Sequence, residues 1–274
     1  MRLDKPIGIF LLLWPTLMAL WIAGEGKPNL YIVSIFVLGV IVMRSAGCVI
    51  NDWADRNFDK AVTRTRNRPL AMGTAKPREA ILLFLFLISI ALILVLQLNL
   101  LAIALSIVAL LLATAYPFMK RYTHLPQVAL GIAFAWAIPM AFVAITHQLS
   151  SSAMLLFLAT VCWTVAYDTE YAMVDRADDI QIGVKSMAIL LGKADRLVIG
   201  GLQLGMLVLL VILGWDLGYG KCYYLGICGA SVLAFYQQYL IKNRIPEQCF
   251  KAFLNNNLLG ALLFSGLVLE GYYG

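Results

Sequence analysis

Long unbroken apolar runs constrain this chain more than any other feature. A helix rises about 1.5 Å per residue, so roughly 20 consecutive apolar residues are needed to cross the ~30 Å hydrocarbon core of a bilayer. Nine runs approach or exceed that length, at about 7–23, 30–50, 81–98, 100–118, 128–146, 154–167, 197–213, 222–241 and 250–272, the sixth being the shortest. With 62% hydrophobic and 13% charged residues, the composition lies outside the range of soluble domains. The runs are continuously apolar and rich in Leu, Ile and Ala, whereas barrel strands would alternate with a polar lumen face. The expected fold is therefore an all-α polytopic membrane bundle of about nine helices, forming one domain over residues 1–274.

The charges orient that bundle. In a nine-span arrangement, of 21 basic residues only Lys27 and Lys221 fall on the loops of one side and Arg44 within a span; the rest gather on the other side. The positive-inside rule places that richer side, and the amino terminus, in the cytoplasm, with Gly274 outside. A net charge of +6 distributed this way argues for membrane sidedness rather than nucleic-acid binding. The first run contains Pro15 and is followed by no small-residue cleavage site, which reads as a retained span rather than a signal peptide. The five cysteines form no Cys-x-x-Cys pair, and His124 and His147 are isolated, so neither residue type suggests a metal site.

The acidic residues concentrate in two segments that each follow an apolar run. In the first, Asn51, Asp55 and Asp59 recur every four residues, which would align them on one face of a continuing helix. In the second, Asp175 and Asp179 repeat the spacing, with Tyr171 one turn and Asp168 about two turns earlier. Both share an Asp-Arg-x-x-Asp core, and each leads into a basic stretch ending at Gly73 or Gly192, which suggests an internal pseudo-repeat. One such cluster alone is equally well a solvated helix end; the repeat favours function. Mg²⁺ takes oxygen ligands, usually one or two carboxylates completed by substrate phosphates and water. Two ions, one at each cluster, would clamp a diphosphate between them. Arg64, Arg66, Arg68, Lys120, Arg121 and Lys185 lie nearby in sequence and would either bind its oxygens or anchor the cytoplasmic face. Arg44 is placed differently, seven residues before Asn51 and so roughly 10 Å deeper, where a lone guanidinium needs an anionic partner such as a substrate carboxylate. Gly47, Gly131 and Pro139 within spans, and Pro117 expected to end the fourth, point to a cavity rather than a sealed bundle.

At these residues the sequence resembles the UbiA superfamily of membrane prenyltransferases, most closely those members that act on 4-hydroxybenzoate. The resemblance runs nearly end to end. It rests on 2–8, on Arg44-Ser-Ala-Gly-Cys48, on the Asn51–Asp59 motif with 64–70, and on 167–176 through 182–186. It implies helices around a cavity open sideways to lipid, with the acidic motifs on loops capping the cytoplasmic end. It further implies two Mg²⁺ ions, one at Asn51, Asp55 and Asp59 and one at Asp175 and Asp179, with Arg44 on the aromatic carboxylate. Arg64, Arg68, Lys120, Arg121 and Lys185 match or neighbour diphosphate contacts on the same pattern. The implied substrates are a polyprenyl diphosphate and 4-hydroxybenzoate, and the implied location is a bacterial inner membrane. The chain starts close to the first motif, and Ala177 stands where an acid is often found. Naphthoate, homogentisate, haem or a lipid alcohol remain open as acceptors. A divalent-cation transporter is the alternative from another class; it leaves the bases unexplained, and the non-cytoplasmic half carries few acids beyond Glu25, Asp216 and Glu270.

Overall fold

The computed structural model describes residues 3–60, 62 and 65–273. Among these the chain forms α1 (Ile7–Ala23), α2 (Leu30–Asp55), α3 (Pro69–Met72), α4 (Pro77–Val95), α5 (Leu100–Tyr122), α6 (Pro126–Ala135), α7 (Ala137–Thr146), α8 (Ser151–Ile182), α9 (Met187–Leu191), α10 (Asp195–Asp216), α11 (Lys221–Leu240) and α12 (Pro246–Tyr273), with no strand among the described residues. Seven helical stretches are long and apolar enough to cross a bilayer. With α1 and α11 they account for the nine predicted runs.

Local signals start and stop these helices where backbone groups would otherwise lack partners. Asn29, Asn99 and Ser150 accept hydrogen bonds from the first-turn amides of α2, α5 and α8. Proline opens α3, α4, α6 and α12, where its missing N–H costs nothing. Gly73 and Gly183 close α3 and α8 with φ of 77° and 71°, a conformation that glycine adopts without a Cβ clash.

Four expectations need correction. The shortest predicted span, 154–167, belongs to α8, which at 32 residues is the longest helix. Counting apolar residues stopped at Asp168, but the polar side chains beyond it are satisfied within the bundle. Glu170 accepts from Asn256 Nδ2 at 3.0 Å and Gln203 Nε2 at 3.4 Å, and Arg176 pairs with Asp195. Second, α5 runs through Pro117 to Tyr122 rather than ending there. Third, α2 runs to Asp55, so Asn51, Asp52 and Asp55 lie on a helix, Asp59 sits in the turn after it, and the second motif lies wholly within α8. The motifs are therefore mainly helical extensions, not loops. Fourth, the run at 128–146 is broken at Trp136 into α6 and α7. Pro139 cannot donate to the carbonyl of residue 135, and the Trp136 indole donates to the Leu105 carbonyl at 2.9 Å.

Packing divides the bundle into two parts. α10 lies along α8, and α11 lies along α12. At the α11–α12 crossing, a Cβ added to Gly266 would stand 2.9 Å from the Gly226 Cα and 3.0 Å from the Cys222 carbonyl, so two glycines let the backbones touch. In the other part, α2 packs on α4, α6 on α8, and α1 on α7 and α12. A cavity is left among them.

Candidate active site

That cavity has a volume of about 1760 Å³ and is walled by α1, α2, α4, α5, α6, α7, α8 and the start of α12; no residue of α10 or α11 lines it. Along α4 it extends from Glu79 to Val95, about 24 Å at ~1.5 Å per residue. Its deep part is apolar, with Leu83, Leu94, Val95, Leu98 and Leu110. Leu92 of α4 and Ile107 of α5 line it while remaining 52% and 59% exposed.

The acidic end holds both motifs. Asn51, Asp52, Asp55 and Asp59 line one wall, and Asp168, Tyr171, Asp175, Asp178 and Asp179 line another. The end of α5 ties the two walls together. Lys120 pairs with Asp55 through its Nζ, while the Lys120 carbonyl accepts from the Lys185 backbone N–H at 3.1 Å. Lys185 Nζ also donates to the Tyr122 carbonyl at 3.1 Å. The segment after the second motif is thereby fixed to the helix whose lysine reaches the first. Tyr116, one turn before Lys120 on α5, also lines the cavity and interacts electrostatically with Asp168, Arg44 and Asp55. Nothing in its spacing marked it beforehand, because a tyrosine in an apolar run reads as packing.

The bases divide. Arg68 Nη1 reaches Asp59 Oδ2 at 2.7 Å and Asp52 Oδ1 at 3.1 Å, and it lines the cavity with Lys120 and Lys185. Arg121 is not brought there. It donates to the Ala54 carbonyl at 2.6 Å and lies over the rings of Phe58 and Phe118. Arg66 is exposed and does not line the cavity. Arg64, expected to contact diphosphate, lies outside the described residues. The arginines of the two Asp-Arg-x-x-Asp cores also turn away, Arg56 to the Trp53 carbonyl and Arg176 to Asp195, where Arg244 adds a second guanidinium.

The donor set suits a hard divalent cation. Asp55 is 2% exposed, and its Oδ1 has no hydrogen-bond partner although Oδ2 is paired with Lys120. A buried carboxylate oxygen without a donor carries an unpaid desolvation cost that a cation removes. Among the described residues no three Asp, Glu, His or Cys side chains form a ready-made cage. Mg²⁺ fits that arrangement, because it uses few protein carboxylates and completes its shell with phosphate and water.

Arg44 stands deeper, on the cavity wall with Gly47 and Phe134. Its Nε is buried without a partner, Nη1 reaches Cys48 Sγ at 3.3 Å, and the guanidinium lies 5.6 Å from the Phe134 ring centroid. A buried guanidinium below the acidic end ordinarily has an anionic partner, and these contacts supply none.

The chain is similar to known proteins in both sequence and fold. The UbiA prenyltransferase family pattern matches residues 12–262. A 4-hydroxybenzoate octaprenyltransferase from Sodalis glossinidius (strain morsitans) is 60% identical over 270 residues, 98% of this chain and 93% of the relative. One from Salmonella paratyphi C (strain RKS4594) is 57% identical over 273 residues, 100% of this chain and 94% of the relative. Among solved structures, the apo UbiA homolog from Aeropyrum pernix K1 superposes with a TM-score of 0.85 at 24% identity, covering 98% of each chain. A UbiA homolog from Archaeoglobus fulgidus bound to GPP and Mg²⁺ gives 0.72 at 16% identity, covering 99% of this chain and 97% of the other.

Proposed function

Because the chain belongs to the UbiA prenyltransferase family, we propose that it is an integral-membrane enzyme that moves a polyprenyl group from polyprenyl diphosphate to 4-hydroxybenzoate. The bond formed joins the terminal prenyl carbon to the ring carbon ortho to the hydroxyl, giving 3-polyprenyl-4-hydroxybenzoate for ubiquinone biosynthesis. The observation carrying this reading is one cavity that joins two acidic motifs, a deeper arginine whose buried Nε has no hydrogen-bond partner, and a long apolar channel.

In this reading the diphosphate sits between the motifs. Asn51, Asp55 and Asp59 would hold one Mg²⁺ and Asp175 and Asp179 a second, and the ions when bound would supply positive charge for the departing oxygens. Lys120, Arg68 and Lys185 add donors to those oxygens, the first two exchanging their carboxylate partners for phosphate. Arg121 acts indirectly, supporting the Ala54 carbonyl beside Asp55, and Arg64, which the resemblance assigns to the diphosphate, lies outside the described residues. The prenyl tail lies in the apolar channel along α4. Its walls exclude water, which would otherwise quench the allylic cation left when the diphosphate departs. Arg44 binds the acceptor carboxylate and so presents the ring to that cation. Asp175, oriented by Tyr171, takes the phenol proton as the new C–C bond forms; the substituted ring carbon then releases its own hydrogen as a proton, which restores the aromatic ring, and the phenolate oxygen is reprotonated. The charge distribution supports a site facing the cytoplasm, and the Sodalis and Salmonella relatives support a bacterial inner membrane.

The test is to incubate purified protein with 4-hydroxybenzoate and prenyl diphosphates of several lengths, with Mg²⁺ or with EDTA, and to identify products by mass. The expected result is a prenylated 4-hydroxybenzoate only when Mg²⁺ is present. Turnover of another acceptor in preference to 4-hydroxybenzoate would overturn the assignment.

A further inference from the structure

Gly8 is the second residue of α1, and it lines the cavity beside Arg44. A Cβ added there would lie 2.5 Å from Arg44 Nε, 2.6 Å from Nη2 and 2.9 Å from Cζ. Side-chain carbons do not approach other atoms that closely, so the guanidinium occupies the space that any other residue would fill. Backbone conformation does not call for glycine here, since Gly8 is not among the residues with positive φ. Within a helix, alanine is the better residue by about 0.5–1 kcal/mol. What glycine supplies is room. Among the described residues the guanidinium also meets the Phe134 ring and the weak acceptor Cys48 Sγ, and its Nε has no hydrogen-bond partner. The α1 backbone therefore decides where a loosely held cation rests.

We infer that Gly8 is a positioning residue for the acceptor: the bare α1 backbone at this point seats the Arg44 guanidinium, and through it the carboxylate of the aromatic substrate. This rests on the reading that Arg44 binds that carboxylate. The three atoms nearest to an added Cβ all belong to Arg44, so the substitution acts first on the acceptor's side of the site. The clashing atoms are the far end of a flexible side chain. Gly8→Ala therefore displaces the guanidinium rather than the helix, and displacement of about 1 Å in a positioning contact costs on the order of 10–10² fold.

The experiment measures steady-state kinetics for four proteins: the native enzyme, Gly8→Ala, Arg44→Ala and the double variant. The expected result for Gly8→Ala is a KM for 4-hydroxybenzoate raised about tenfold or more, with KM for the prenyl diphosphate changed less than about threefold. In the Arg44→Ala background the alanine at position 8 should change the acceptor KM less than about twofold, because the group it displaces is gone. If Arg44→Ala leaves the acceptor KM unchanged, the carboxylate reading fails. If Arg44→Ala raises it but Gly8→Ala does not, the positioning inference alone fails. Equal effects of Gly8→Ala in both backgrounds, or on both substrates, also overturn it. Should Gly8→Ala fail to accumulate, the double variant decides: recovery of folded protein supports the steric contact, and loss of both makes Gly8 structural.

Discussion

Replacing Asp55 with Asn should separate activity from stability. Asp55 is buried at 2% exposure at the end of α2, with Oδ2 paired to Lys120 and Oδ1 without a donor. Asn keeps the size and an acceptor oxygen but removes the charge. Losing the ion pair with a partly exposed lysine costs about 1 kcal/mol, since Lys120 retains 24% side-chain exposure and is hydrated in part. Against this, a buried carboxylate oxygen lacking a donor carries a desolvation penalty of roughly 1–3 kcal/mol that the neutral amide reduces. The two effects have opposite sign and similar size, so the unfolding midpoint of metal-free protein should stay level or rise slightly. Activity should behave differently. A neutral carboxamide holds Mg²⁺ more weakly than a carboxylate and cannot offset its charge, so with Asn51 already neutral the loss of this electrostatic contact in the transition state costs ~10²–10³ fold, or about 2.7–4 kcal/mol. The assay pairs thermal unfolding of detergent-purified protein, followed by tryptophan fluorescence, with prenyl transfer at saturating Mg²⁺ and substrates. Retention of more than a tenth of native turnover would refute the ligand role. A lost activity that simply tracks a midpoint falling by many degrees would refute the argument that Asp55 is held at a cost to stability.

Two further outcomes test the scaffold. Gly266→Leu should destabilise by about 1–3 kcal/mol, because its side chain would force apart the α11 and α12 backbones where Gly226 and Gly266 touch; unfolding in a fixed detergent or bicelle series checks this, and an unchanged midpoint would show that the contact is dispensable. Asp195→Ala leaves Arg176 and Arg244 without their shared carboxylate. The expected loss is about 3 kcal/mol, the low end for breaking a buried pair because both guanidiniums keep some exposure, and prenyl transfer at low temperature should persist. An inactive but fully stable variant would move Asp195 from the scaffold to the site.

Much of the architecture was legible before the coordinates, for different reasons in different places. The bilayer requires a minimum apolar length, so helices such as α4 and α10 announced themselves by composition alone. The same criterion failed at α8, where Glu170, Arg176 and the second acidic motif interrupt hydropathy but not the helix. Glu170 is held by Gln203 and Asn256 and Arg176 by Asp195, all on other helices, so the stretch that hydropathy scores as an interruption is satisfied by packing. Likewise Pro117 marked a helix end by local rule, yet packing carries α5 onward to Lys120.

For the site, the four-residue spacing of Asn51, Asp55 and Asp59, its recurrence at Asp175 and Asp179, and the depth of Arg44 all follow from helical period and distance along the chain. Those properties are one-dimensional, and a single sequence suffices to read them. Tertiary packing alone decided that motifs 120 residues apart would line one cavity, that Lys120 would reach Asp55 while Arg121 turned to a carbonyl, and that Gly8 would leave space for a guanidinium 36 residues away. The physical reason is that hydropathy reports only how each segment partitions between water and lipid. Which side chains then meet depends on close packing between helices, where the presence or absence of a single Cβ settles where a charge can rest.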